Sequence, residues 1–366
     1  MNAPSDLYIG IMSGTSLDGI DAALVDLAQA APRLVSSYFR PYTEPLKEAS
    51  LALHQVSHNE LHQSQLIANQ LAREYAAATH ALLKKAGVSA KSIQAIGCHG
   101  QTVRHRPEHG YTIQLNNAAL LAELTCINVV SDFRSRDIAA GGQGAPLVPA
   151  FHDHVLRQPA IHRVILNIGG IANLTDLPPG KKTTGFDSGP GNLLLDAWIA
   201  RHQGKAYDKN GDWSARGKII PALLQRLLAE PFFAAAPPKS TGRDLFNLAW
   251  LERHLNGEEK PEDVQATLLA LTGDSIAVAV QRFCAGTREI YVCGGGAHNT
   301  ALLSHLQQAL PQCRIQKTEV LGIAADWMEA IAFAWLAQQT MHLRPANLPA
   351  VTGARHPCVL GAIYPA

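Results

Sequence analysis

Apolar residues along the chain fall into short strand-length runs and longer stripes of helical period. LYIGIM and IDAALVDL flank the polar turn SGTSLDG near the start, a pattern that predicts a β-hairpin. A third strand is expected at about 34–39. Ser57 with Glu60 makes a capping box. The helix after it carries Leu61, Ile67, Leu71, Tyr75, Ala78 and Leu82 on one face and stops at Gly87. The strands IQAIGCHG and YTIQLNN follow, then a helix at about 117–124, the strand CINVVSD and an amphipathic helix at about 149–156.

The pattern then starts again. RVILNIGG, IANLTDL and TTGFDSG read as strand, glycine turn, strand and third strand, followed by the helix GNLLLDAWIARH. Helices are expected at about 262–284 and 325–341, with the strand EIYVCGGG, the helix NTALLSHLQQAL and the strand CRIQKTE between them. The order β-β-β-α-β-α-β thus occurs twice. It predicts an α/β protein of two related lobes, each a mixed β-sheet flanked by helices, with an active-site cleft between them. Lobe I is expected over 1–140 and lobe II over 141–340, with the tail 341–366 packing back on lobe I. Residues 205–261 show no clear period and read as a mobile insertion in the second lobe.

Composition narrows the class. Lys+Arg total 31 and Asp+Glu 30 in 366 residues, a net charge of +1, which argues against a nucleic-acid partner. Hydrophobic residues make up 47%, enough for large cores. No apolar run approaches the length of a membrane span, and the N-terminus lacks the basic and apolar regions of a secretory signal, so a cytoplasmic location is expected. The six cysteines are scattered without metal-site spacing and read as reduced thiols. His152 with His154, and the run His54, His58, His62, read as structural or exposed, since no nearby acidic ligand completes the run. The sequence leaves room for a homodimer.

Four motifs carry candidate chemistry. GTSLDGID, comprising Gly14, Thr15, Ser16, Leu17, Asp18, Gly19, Ile20 and Asp21, lies at the tip of the first hairpin. Glycine lets backbone N–H groups approach a phosphate, and the hydroxyls add donors. Asp18 and Asp21 offer the oxygen ligands that Mg²⁺ prefers, directly or through water. The same residues also suit an ordinary turn. NIGGIANLT puts Gly169 and Gly170 at the equivalent place in the second repeat, where a second turn would close on a polyphosphate. CGGGAHN, with Gly294, Gly295, Gly296 and Asn299, sits at a strand-to-helix junction that admits a nucleoside or serves as a tight turn. FDSGPGN ends a strand with Asp187, placed as a general base or as a turn carboxylate. A looser group, Gln101, Thr102, Gln114, Asn116 and Arg134 with Asp137, suits a polyhydroxylated ligand, and Arg134 suits a carboxylate. Glu329 stands at capping-box spacing from Asp326 and reads as a cap or a ligand contact.

The repeated lobes, the two hairpin turns and the late GGG resemble the actin-like (RNase H-like) ATPase fold of sugar kinases. The strings MSGTSLDGID, CHGQT, NIGGIANLT, FDSGPGN, CGGGAHN and EAIAFAWLA together resemble the anhydro-N-acetylmuramic acid kinase family over essentially the whole chain. That resemblance implies ATP and Mg²⁺ as cofactors, a bacterial cell-wall (peptidoglycan) amino sugar as substrate, and a hydrolytic opening of the 1,6-anhydro bridge coupled to phosphorylation of O6. It also implies Asp187 as the catalytic aspartate, with the three glycine motifs on the nucleotide. Many actin-like kinases carry an Asp before the first glycine turn; here that stretch is IGIMSGT, which displaces the metal role. A kinase for another amino sugar, or a nucleotide-switch ATPase of the actin and chaperone type, is the alternative.

Overall fold

The computed structural model describes residues 6–14 and 17–366. Twelve strands are found among them: β1 (Leu7–Ser13), β2 (Gly19–Asp26), β3 (Arg33–Pro41), β4 (Ile93–Arg106), β5 (Tyr111–Leu115), β6 (Val129–Ser131), β7 (Arg163–Ile168), β8 (Ile171–Leu177), β9 (Thr184–Pro190), β10 (Glu289–Cys293), β11 (Arg314–Lys317) and β12 (Ala362–Tyr364). They form two sheets. The first runs β12-β6-β4-β1-β2-β3, with β5 also paired to β4; the second runs β11-β10-β7-β8-β9. In both, the first three strands of the repeat pair antiparallel; β4 and β6 in the first sheet, and β10 and β11 in the second, add in parallel on the other side, while β5 pairs antiparallel with β4. The chain is an α/β protein in which one sheet order occurs twice.

The chain divides into two compact units, 1–156 with 322–366, and 157–321. These borders differ from the expected 140/141 and 340/341. The helix Val148–Leu156 belongs to the first unit, and so does Met328–Met341, assigned above to the second lobe. The cause lies in two strand glycines. A Cβ on Gly10 of β1 would overlap the Ala330 carbonyl, and one on Gly97 of β4 the Phe333 carbonyl. Without those Cβ atoms, the alanine-rich helix lies directly on the first sheet, backbone against backbone. The C-terminal β12 pairs antiparallel with β6 in the same unit.

In the first unit the helix Glu60–Ala86 lays Ile67, Leu71, Tyr75, Ala78 and Leu82 into the core and ends at Gly87, whose N–H reaches the Leu83 and Lys84 carbonyls. The expected Ser57–Glu60 box does not form. Asn59 is the N-cap, and Glu60 instead makes an ion pair with Arg104 at 2.6 Å. In the second unit the helix Pro261–Phe283 is long and apolar enough by length and composition to cross a membrane, contrary to the expectation from the sequence. Most of its apolar stretch is buried inside the protein, so burial in a core accounts for it. All six cysteines are free thiols and five are buried.

Candidate active site

Asp187 sits on β9 opposite Asn173 of β8. Its backbone N–H donates to the Lys239 carbonyl at 3.1 Å. The Thr241 N–H donates to its Oδ2 at 2.9 Å. Burial pushes the carboxyl up to about 6, opposed by the Thr241 N–H and then by the nearby Lys239 charge. Residues 239–241 come from the segment read as an irregular insertion. That segment instead carries short helices, including Pro221–Leu228, Pro231–Ala234 and Leu248–Glu252. Its contact with Asp187 was missed because nothing in the sequence links position 187 to a loop more than fifty residues away.

The glycine motifs of the second unit meet around Ile168, the last residue of β7. The Gly169 carbonyl accepts the Asn192 N–H at 2.8 Å, and the Gly170 carbonyl accepts those of Gly191 and Leu193 at 2.9 and 3.1 Å. The β7–β8 turn is therefore pinned to the start of the helix Leu193–Gln203, directly after the Asp187 strand. In the GGG turn, a Cβ on Gly294 or Gly296 would overlap Asn167 or Ile168. Close packing against β7 requires these two glycines. Gly295 has only Asn192 Nδ2 nearby, at 3.7 Å from such a Cβ, and so has room for a ligand. Asn299 caps the helix Thr300–Ala309, its Oδ1 accepting the Leu302 N–H at 3.0 Å.

In the first unit, Thr15 and Ser16 lie outside the described residues. Gly14 accepts from the Leu17 N–H at 3.3 Å and from Gln101 Nε2 at 3.2 Å. Leu17 and Ile20 are buried in the core, so their side chains pack and only their backbone can serve a ligand. Asp18 accepts the Gly19 N–H at 3.1 Å. Asp21 is half-buried, and its carboxyl rises to about 7 through burial, then Asp18, Glu329 and Asp326. These four carboxylates, three of them picked out separately above, act on one another here. Glu329 does not cap its helix, whose N-cap is Trp327. Burial pushes the Glu329 carboxyl up, and Arg134 pulls it back.

Arg134 donates from Nε and Nη2 to His99 Nε2, at 3.1 and 2.9 Å, and from Nη1 to the Gly144 carbonyl at 2.8 Å. Three of a guanidinium's five N–H donors are used by these bonds, which leaves two for a ligand. Burial, outweighing Glu329 and Asp137, brings Arg134 down to about 10. Burial and then Arg134 hold His99 neutral, well below its usual range, as its acceptor role requires. Gln101 is fully buried and braces Gly14. Gln114 donates to Thr102 Oγ1 at 3.2 Å and to Thr112 Oγ1 at 2.7 Å. Asn116 donates to Ser131 at 3.1 Å, and its buried Oδ1 has no hydrogen-bond partner among the described residues. Asp137 is consumed by scaffold bonds from Gly144, Asn347 and Thr352 at 2.6–2.8 Å. No group of three His, Cys, Asp or Glu among the described residues is arranged to hold a metal directly.

The model of the family described as anhydro-N-acetylmuramic acid kinase matches residues 6–366. The chain belongs to the anhydro-N-acetylmuramic acid kinase family. The anhydro-N-acetylmuramic acid kinase of Nitrosospira multiformis is 58% identical over 361 residues, covering 98% of this chain and 99% of that protein. The one from Nitrosomonas europaea is 55% identical over the same length and shares. Component A of the (R)-2-hydroxyglutaryl-CoA dehydratase of Acidaminococcus fermentans, a solved structure, is 12% identical with a TM-score of 0.48, over 90% of this chain and 96% of that one. A likeness at that level carries nothing about function. Membership of this kinase family gives the two sets of side chains a common reaction to be tested against.

Proposed function

We propose that the protein opens 1,6-anhydro-N-acetylmuramic acid with water and phosphorylates its O6 from ATP, giving N-acetylmuramic acid 6-phosphate and ADP in the recycling of cell-wall sugars. The observation that carries this reading is Asp187: a half-buried carboxylate in the middle of β9, oriented by an N–H and raised only to about 6. Such a group is ionised at neutral pH and still basic enough to take a proton. In the anhydro sugar O6 is an ether oxygen with no proton to lose. Asp187 therefore takes its proton from the water that attacks C1. The C1–O6 bond breaks, its electron pair stays on O6, and O6 attacks the γ-phosphorus as the bond to ADP breaks.

In-line transfer of this kind needs positioning and neutralised charge more than covalent help. We assign the phosphates to the backbone of Gly14, Thr15, Ser16, Leu17, Gly19 and Ile20 and to the Gly169–Gly170 turn. Gly295 takes the nucleoside, with Gly294, Gly296 and Asn299 shaping the turn around it. The two unused N–H donors of Arg134 suit the lactyl carboxylate, and the unpaired Asn116 Oδ1 suits a hydroxyl or amide donor of the sugar. Asp18 and Asp21 fit Mg²⁺: they are hard oxygen donors, and the repulsion that adds to burial in lifting Asp21 to about 7 is what a dication would relieve. When bound, Mg²⁺ would neutralise phosphate charge. The test is ADP formation with and without the sugar. Turnover that requires the sugar supports the kinase; equal turnover in its absence favours a nucleotide switch.

A further inference from the structure

The surroundings of Asp187 extend beyond the residue itself. Lys239 supplies the carbonyl that accepts the Asp187 N–H, and two residues later Thr241 supplies the N–H that Oδ2 accepts. The strap thus grips Asp187 at both its backbone and its carboxylate. The Lys239 ammonium does not bond Asp187. It donates to the carbonyls of Phe232 and Phe233 at 3.0 and 3.4 Å, and lies 4.6 Å from the centre of the Phe232 ring and 5.5 Å from that of Phe283. Two carbonyls and two ring faces hold the cation in one place. Arg282, on the helix Pro261–Phe283, stacks 5.2 Å from the same Phe283 ring. The charged groups acting on this assembly are Asp187, Lys239 and Arg282: burial and Arg282 push Lys239 down, and Asp187 pulls it up.

We propose that Lys239 and Thr241 are positioning residues for the base: the strap backbone fixes where the Asp187 carboxylate points, and the anchored ammonium fixes the charge it faces. This rests on the reading of Asp187 as the base. The ammonium and the Thr241 N–H both favour the carboxylate over the acid, against the burial that favours the acid. Removing the charge leaves burial less opposed. The base then protonates at higher pH, and the rate is lost first on the acid side.

The test is the pH profile of sugar-dependent ADP release in Lys239→Met, whose stem still covers the two rings. The expected result is an acid limb moved to higher pH by about half a unit or more. The rate at pH 5 then falls about threefold, while the rate at pH 8 and the KM for ATP and sugar stay within about twofold. Lys239→Arg returns the limb to its original place. Lys239→Gln, neutral but polar, repeats the experiment if the methionine variant does not fold. An unmoved limb, or a loss equal at every pH, overturns the proposal. Asp187→Asn separates this from the reading beneath it: a variant that keeps its turnover removes Asp187 as the base, whatever Lys239 does.

Discussion

Asp187 and Asp21 are both strand carboxylates lifted by burial, to about 6 and about 7, yet their neighbours are of opposite kind. Around Asp187 an N–H and a cation oppose the effect of burial. Around Asp21 three more carboxylates add to it. The first arrangement stabilises an anion and leaves it a modest basicity, which suits proton transfer. The second stores repulsion that only a proton or a cation removes, which suits a metal site. Similar shifts therefore point to different chemistry once their causes are separated.

The comparison breaks most sharply at Asp187. Asp187→Asn is expected to lower kcat by about 10²–10⁴ with ATP binding retained, measured as sugar-dependent ADP release beside ATP affinity. Asp21→Asn is expected to raise the Mg²⁺ concentration for half-maximal rate by about tenfold, with the rate largely restored at saturating Mg²⁺. Should Asp21→Asn instead abolish turnover at every Mg²⁺ concentration, the two carboxylates would not have separable roles. In the unmodified enzyme, kcat/KM is expected to fall about tenfold per pH unit below about 6, as Asp187 protonates.

The smallest effect is on stability. Asp21 is raised in the folded chain above the ordinary carboxyl value of 3.8. The folded state therefore binds more protons than the unfolded one between that value and about 7. The stability linked to that proton is fully present below 3.8 and is lost as the pH rises through about 7. Asp21→Asn without Mg²⁺ should melt a few degrees above the parent at pH 8, with a smaller difference at pH 5. Melting curves at the two pH values decide this, and no gain at pH 8 would count against the repulsion.

Much of the frame was legible in the sequence because periodicity is local. The twofold β-β-β order and the helix ending at Gly87 follow from neighbours in the chain, whereas the strand expected to end at Asp187 runs on to Pro190 because β8 stays paired with it that far. What was not legible depends on contacts between distant segments. Met328–Met341 was assigned to the wrong unit because the two glycines that admit it, Gly10 and Gly97, lie more than two hundred residues earlier. The Ser57–Glu60 box read well locally, but Arg104 takes Glu60. Two of the three glycines in GGG turn out to answer to Ile168 and Asn167, leaving Gly295 with open space. Lys239 and Thr241 lie in a stretch with no periodic signal and acquire meaning only where the chain folds back on Asp187.

The central claim is that Asp187 directs water to C1 while O6 goes to phosphorus. Isotope placement tests it most directly. The protein is incubated with Mg-ATP and 1,6-anhydro-N-acetylmuramic acid in ¹⁸O-labelled water, and the products are examined by mass spectrometry before the anomeric oxygen exchanges. The account predicts a sugar 6-phosphate with one label at C1 and none on the phosphoryl group. Label on phosphate, or ATP consumed with the anhydro sugar intact, would contradict it.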